Sequence, residues 1–197
     1  MRIITAEQRT PEWYATRLGV PTASQFGKLL TPTGKRSTQA DGYINKLVAE
    51  ILTGKSDFEE PNAAMARGTE LEPEARGYYS LINPVDEIGF CLHDDGFGCS
   101  PDGLVGSVGL LEIKCPLPHT HVEYLVDNAL PGLYVPQVQG QLLVTGREWC
   151  DFLSYHPDMK PLLVRVERDE KYISTLHEVL LETVDRIKTL ATNLRKD

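Results

Sequence analysis

The sequence predicts an α/β (α+β) fold in which a central mixed β-sheet is flanked by helices. Short apolar segments typical of strands are concentrated between residues 88 and 166, and helical patterns precede and follow them. The last of these patterns, residues 170–195, is a long amphipathic helix. With 197 residues, 41% of them hydrophobic, the chain fits one domain, residues 1–197, with an ordinary buried core.

The N-terminal part of the chain carries clear helix-start signals. Thr10 is expected to cap a helix with Pro11 at its first position, and residues 22–25 fit a capping box that opens a second, short helix. Residues 31–39 are rich in Pro, Gly, Ser and basic residues, and predict a mobile basic loop. Two longer helices are expected over residues 40–52 and 63–79.

The middle and C-terminal parts alternate strands with helices. Strands are expected over residues 88–93, 97–100, 110–115, 149–155 and 162–166. Helices are expected over residues 120–128, 135–144 and 170–195. The order of these elements supports a sheet covered by helices.

The composition excludes several classes of protein. No run of about 18 apolar residues exists, so no membrane span is expected, and the N-terminus lacks the apolar stretch of a secretory signal. A cytoplasmic location is therefore expected. The net charge of −8 disfavours a protein that mainly coats nucleic acid, although an enzyme with a local basic patch remains possible. The four cysteines lack zinc-site spacing and are expected to be reduced thiols.

The strongest chemical signal is an aspartate in a turn followed by a Glu-x-Lys strand. Side chains alternate along a strand, so Glu112 and Lys114 share one face, and pairing with the preceding strand would bring Asp102 beside them. Two adjacent carboxylates repel each other, and a hard divalent cation relieves that repulsion. Mg²⁺ is the expected ion, Mn²⁺ is expected to substitute, and the carbonyl of Ile113 could supply a further ligand.

Lys114 has a defined task in phosphodiester hydrolysis at such a site. It could orient or help deprotonate the attacking water and stabilise the charge that develops on the phosphate. Glu-x-Lys alone usually marks a solvated strand face, and Pro-Asp-Gly alone usually marks a turn. The two in order, across one short hairpin, are much more specific.

These residues resemble the PD-(D/E)xK motif, and within that superfamily the chain resembles the phage lambda exonuclease (YqaJ-type viral recombinase) family. The resemblance implies a restriction-endonuclease-like core. Segments that match the family's motifs are residues 13–24, 68–76, 99–104, 111–116, 137–139 and 167–172. The similarity therefore extends over most of the chain.

The resemblance also implies an activity and its partners. Family members are Mg²⁺-dependent exonucleases that degrade the 5′-ended strand of linear double-stranded DNA and leave a 3′ overhang. The implied assembly is a homotrimeric ring that threads DNA through its centre. The implied partner is a single-strand annealing protein that loads on the exposed strand during recombination.

The resemblance assigns roles to residues outside the strand motif. Glu72 would approach the metal, an interpretation that the motif match favours over a surface helix carboxylate. Arg17, Ser24 and Ser100 would form a pocket for a 5′-terminal phosphate, a role that arginine and a helix N-terminus favour on physical grounds. Gln139 would border the catalytic centre, although on a helix Gln137 and Gln141 share a face from which Gln139 points away.

The basic and histidine residues are weaker candidates. Lys28, Lys35 and Arg36 could together follow the DNA backbone, although each alone fits a solvated loop. The family's arginine-bearing segment near residue 119 is missing here, so His119 or His121 could replace its phosphate contact. Structural or solvated histidines are the simpler interpretation.

Two alternatives to an exonuclease remain open. One is another nuclease of the superfamily, a PD-(D/E)xK endonuclease or a single-strand-specific nuclease. The other is a catalytically inactive scaffold that binds DNA ends during recombination, which the intact Asp102, Glu112 and Lys114 disfavour.

Overall fold

A computed structural model describes residues 1–56 and 63–196. The helices are α1 (Pro11–Arg17), α2 (Ala40–Thr53), α3 (Ala63–Ser80), α4 (Pro118–Asp127), α5 (Val135–Thr145) and α6 (Glu170–Leu194), with 3₁₀ helices at Ala23–Lys28 and Gly132–Tyr134. The strands are β1 (Arg2–Ile4), β2 (Val85–Asp86), β3 (Phe90–Leu92), β4 (Gly98–Cys99), β5 (Gly103–Val105), β6 (Gly109–Lys114), β7 (Trp149–Ser154) and β8 (Leu162–Glu167). The predicted α/β class with a mixed sheet between helices is confirmed.

The strands form two sheets. The larger has the order β2-β5-β6-β7-β8, in which β6 and β7 are parallel and the other neighbours are antiparallel. The smaller has the order β1-β3-β4. In the larger sheet Gly103 pairs with Leu111, which brings the residue before β5 next to the middle of β6.

The two faces of the larger sheet pack against different helices. Leu111 and Ile113 point toward α3 and contact a cluster that includes Tyr79. Leu110, one position earlier, points to the opposite face and packs with Val138 of α5. Because side chains alternate along a strand, Glu112 and Lys114 lie on the α5 side.

The third and largest cluster joins α2, α6 and the first 3₁₀ helix. The apolar face of α6 packs against the apolar face of α2 and against Phe26. This cluster packs against the 3₁₀ helix that carries Ser24.

No helix in the described part of the chain combines the length and the apolar character that a bilayer crossing requires.

Local predictions were met unevenly. The Thr10 hydroxyl accepts a hydrogen bond from the Trp13 amide, so the first cap is confirmed. The capping box at residues 22–25 is wrong, because the Thr22 side chain caps no helix and the segment forms a 3₁₀ helix. Instead, the Thr22 hydroxyl lies 3.5 Å from Nη2 of Arg17. The short strands β1, β2 and β5 were not anticipated.

Candidate active site

Asp102 and Glu112 converge where β5 meets β6. The Asp102 amide donates to the Leu111 carbonyl at 3.0 Å, and its carboxylate accepts from the Ile113 amide at 2.6 Å. Burial and the neighbouring Glu112 carboxylate raise the pKa of Asp102 well above its ordinary value. The predicted convergence of the two carboxylates across the hairpin is therefore present.

Glu112 is buried, with only 1% of its surface exposed. Its Oε1 accepts hydrogen bonds from Lys114 Nζ and from Gln137 Nε2, the latter at 2.6 Å. Its Oε2 accepts from Gln141 Nε2, also at 2.6 Å. These donors compensate the buried negative charge and fix the orientation of the carboxylate.

Lys114 is held between a carboxylate and an aromatic ring. Burial alone would lower the pKa of Lys114, but the Glu112 and Asp102 carboxylates outweigh it and raise that pKa above its ordinary value. The Nζ atom also lies 5.2 Å from the ring centroid of Tyr134. In this arrangement Lys114 is a positioned cation on the cleft wall.

The expectation that Gln139 borders the catalytic centre is not met in this structure. Gln139 donates to the Glu167 carbonyl and accepts from the Asp169 amide, both at 2.9 Å, on another side of α5. The periodicity of the helix explains this result, because residues four positions apart share a face and only Gln137 and Gln141 lie on the side that faces Glu112. Those two glutamines are the functional candidates that the motif comparison missed.

Glu72 lies on α3 beside Asp102 and is enclosed by arginines. It forms ion pairs with Arg9 and with Arg76, the latter at 2.7 Å. Arg76 also donates from Nε to the Asp102 carbonyl at 3.2 Å. Arg9 has φ of 70°, a left-handed conformation that a residue with a side chain rarely adopts, and such strain is common at functional sites.

Arg17 forms a second polar centre with Ser100. Its guanidinium stacks on the Trp13 indole, 3.9 Å from the ring centroid, and Nη1 donates to Ser100 Oγ at 3.2 Å. Trp13 Nε1 donates to the same oxygen at 3.0 Å. Because these two contacts make Ser100 Oγ an acceptor, its hydroxyl hydrogen can donate to an anion.

No described carboxylate forms a salt bridge with Arg17. Burial lowers the pKa of its guanidinium. A half-buried cation without a counter-ion is a favourable place for a phosphate. Ser24 is exposed and contributes from a 3₁₀ helix of six residues. The expected contribution of a helix N-terminus is therefore small, and the pocket depends on side chains.

Both centres line one cleft of about 200 Å³. The sequence-predicted residues that it brings together are Arg17, Ser24, Glu72, Ser100, Asp102, Glu112, Ile113 and Lys114. A buried carboxylate, Glu112, a partly buried one, Asp102, whose pKa is raised, and the oxygen-rich donor set fit a hard divalent cation. Gln141 Oε1 beside them is buried and has no hydrogen-bond partner among the described residues, and so could accept from a bound water.

The other basic candidates lie away from the lining of this cleft. Lys28 Nζ lies 5.8 Å from the ring centroid of Tyr43, Lys35 is exposed, and Arg36 forms an exposed ion pair with Glu182 of α6. His121 is buried, with Nδ1 2.7 Å from Ser154 Oγ and Nε2 3.0 Å from the Lys160 carbonyl. This role is structural. His119 is exposed at the start of α4.

The fold and the Asp102, Glu112 and Lys114 arrangement define a site of the PD-(D/E)xK nuclease type. A family model described as the YqaJ-like viral recombinase domain matches residues 12–148, and the chain belongs to this family. No curated protein is significantly similar to the chain.

Solved structures give the same assignment. The alkaline exonuclease LHK-Exo from Laribacter hongkongensis is 39% identical, with 94% of this chain and 96% of that chain covered and a TM-score of 0.85. The same exonuclease in complex with dAMP matches with 38% identity, the same coverage and a TM-score of 0.85. A phage-related exonuclease from Haemophilus somnus 129PT shares the fold, at 16% identity, 89% and 96% coverage and a TM-score of 0.70. Together these findings support a nuclease function of the alkaline exonuclease type.

Proposed function

We propose that the protein is a Mg²⁺-dependent exonuclease that degrades the 5′-ended strand of linear double-stranded DNA and leaves a 3′ overhang. The observation that carries the proposal is the shared cleft, in which Arg17 and Ser100 lie beside Asp102, Glu112 and Lys114. One half of the cleft suits an anion and the other suits a cation. A terminal phosphate and the neighbouring phosphodiester are anions, and cleavage of the phosphodiester requires a bound cation.

Asp102 and Glu112, with the Ile113 carbonyl and with Glu72 nearby, would hold the metal ion. When bound, the ion would stabilise negative charge on the phosphate and make a water molecule more acidic. Mn²⁺ is expected to substitute, because it accepts the same oxygen ligands. Gln137 and Gln141 keep the Glu112 carboxylate oriented toward the cleft.

Lys114 carries the charge that the reacting phosphate needs. Its ammonium group is paired with Glu112 and lies on the cleft wall, where it can hold the water or stabilise the growing negative charge. Hydrolysis adds water across the phosphorus–oxygen bond to the 3′ oxygen of the terminal nucleotide, and that oxygen takes the proton. The products are a 5′-mononucleotide, the class to which the dAMP of the Laribacter complex belongs, and a strand with a new 5′-phosphate.

The Arg17 and Ser100 pocket explains the proposed direction. Each cleavage regenerates a 5′-phosphate, which is the group that a serine hydroxyl and a guanidinium without a described carboxylate partner can bind. Repeated binding of that group would keep the enzyme on the same strand. The exposed 3′ overhang would then be available to a single-strand annealing protein, and a homotrimeric ring around DNA would retain the duplex.

The test uses linear duplex labelled at either the 5′ or the 3′ end, incubated with Mg²⁺, with Mn²⁺ and with EDTA. The proposal predicts early release of the 5′ label as a mononucleotide with either metal, late release of the 3′ label, and no release with EDTA. Early release of the 3′ label, or cleavage in EDTA, would contradict it. Cutting of closed circular duplex would identify an endonuclease, and binding of ends without cleavage would identify a scaffold.

A further inference from the structure

A second cluster of potential metal ligands lies outside the catalytic cleft. It consists of His93, Asp95 and His177, whose ligand atoms all lie within 4.8 Å of one another. Asp95 Oδ2 is 2.8 Å from His177 Nε2 and 3.3 Å from His93 Nδ1. None of the three residues lines the cleft that contains Asp102. The proposed nuclease function leaves this cluster without a role.

Two ordered elements bring the three side chains together. His93 and Asp95 belong to the turn between β3 and β4, which is closed by a 2.8 Å hydrogen bond from the His93 amide to the Phe97 carbonyl. The His93 ring stacks on the Phe97 ring, with centroids 4.5 Å apart and planes 7° apart. His177 projects from α6. The ligands are therefore held in place before any ion binds.

The donor set has the composition of a zinc site. Two imidazole nitrogens and one carboxylate oxygen suit Zn²⁺, whereas Mg²⁺ prefers oxygen ligands. Ligands bonded at about 2.0 Å in a tetrahedron lie about 3.3 Å apart. The separation of Asp95 from His93 matches this value, and the 2.8 Å separation of Asp95 from His177 would lengthen as an ion replaced that hydrogen bond. The side chains are between 23% and 38% exposed, which leaves access for a water molecule as the fourth ligand.

The protonation of His93 also suits a metal ligand. Its Nδ1 accepts a 3.2 Å hydrogen bond from the Asp95 amide, so this nitrogen carries a lone pair, and an ion would take the place of that long contact. Metal ions bind a histidine nitrogen that carries a lone pair.

We propose that His93, Asp95 and His177 form a Zn²⁺ site that joins the β3–β4 turn to α6. The ion would connect the smaller sheet to the C-terminal helix across 82 residues of sequence. It would therefore stabilise the folded chain, because the unfolded chain does not hold the three ligands together.

The test is a calorimetric titration of the full chain, freed of metals, with Zn²⁺ in the presence of excess Mg²⁺. His177→Ala removes one ligand from an accessible helix position where alanine is well tolerated. His119→Ala is the matched control, because His119 is an exposed histidine outside the cluster. Any Zn²⁺ bound at the catalytic carboxylates is the same in all three proteins and cancels in the comparison.

The proposal predicts that the unaltered chain and His119→Ala each bind one more Zn²⁺ per chain than His177→Ala. Zn²⁺ should raise the melting temperature of the first two by more than that of the third. Asp95→Asn should behave as His177→Ala does, and circular dichroism in EDTA checks that each variant is folded. Equal zinc stoichiometry in folded His177→Ala and the unaltered chain would overturn the proposal and leave a hydrogen-bonded cluster.

Discussion

Replacing Arg17 with alanine tests the phosphate pocket independently of the metal. The structure gives Arg17 no carboxylate partner among the described residues, and its Nη1 shares Ser100 with Trp13. A terminal phosphate would therefore be its principal counter-ion. The variant should lose activity on 5′-phosphorylated ends while it keeps most of its activity on 5′-hydroxyl ends.

The size of the loss follows from the interaction that is removed. A hydrogen bond to a charged group contributes about 1.5–3 kcal/mol, which corresponds to a loss of about 10- to 150-fold in kcat/KM. Arg17→Lys keeps the charge but removes the planar group that stacks on Trp13 and reaches Ser100, so an intermediate loss is expected.

The assay compares kcat/KM on two duplexes that differ only in the presence of a 5′-phosphate. Lys171→Ala, at an exposed position on α6, is the control for loss of a positive charge. The reasoning would be refuted if Arg17→Ala, folded by circular dichroism, preserved the unaltered ratio between phosphorylated and hydroxyl ends.

Three further predictions concern positioning, stability and pH. Gln141→Ala should lower the cleavage rate about 10- to 100-fold, because the Glu112 carboxylate loses a hydrogen bond that orients it. Gln139→Ala should lower the unfolding free energy by about 1–3 kcal/mol and leave the cleavage rate of the folded enzyme unchanged. Equal cleavage rates for the two variants would contradict this prediction. Asp151→Ala should lower the unfolding free energy in urea by about 3 kcal/mol, because Arg165 and the Tyr79 hydroxyl lose their buried partner. A change below about 1 kcal/mol would contradict this prediction. In EDTA, the unfolding free energy should fall as pH rises from the ordinary carboxyl range to the raised pKa of Asp102, because the folded state keeps the Asp102 proton to a higher pH than the unfolded chain does. Asp102→Asn should reduce this fall, and a variant with the same pH profile as the unaltered chain would contradict the prediction.

The local arrangement of β6 and the turn that carries Asp102 could be predicted because it depends on short-range rules. Alternation along β6 places Glu112 and Lys114 on one face, and a short hairpin brings Asp102 beside them. The same kind of rule placed Gln137 and Gln141 together, and the motif resemblance misdirected the assignment to Gln139. Here the helix geometry was the better guide.

Contacts between distant segments could not be predicted in the same way. Arg9 meets Glu72 across 63 residues, and no local pattern indicates that pairing. The strand β5 has three residues and its neighbour β2 has two, so neither shows enough alternation to detect. The segment expected to open with a Thr22 capping box instead buries Phe26 in the core, a contact with distant helices that its local pattern does not indicate.

The most direct test of the central claim is the rate at which Lys114→Ala cleaves 5′-phosphorylated linear duplex with Mg²⁺, measured under single-turnover conditions. The account predicts a loss of about 100-fold or more, with binding to DNA ends retained and with Lys171→Ala unaffected. A Lys114→Ala protein that cuts at close to the unaltered rate would contradict the assignment of Asp102, Glu112 and Lys114 as the cleavage centre.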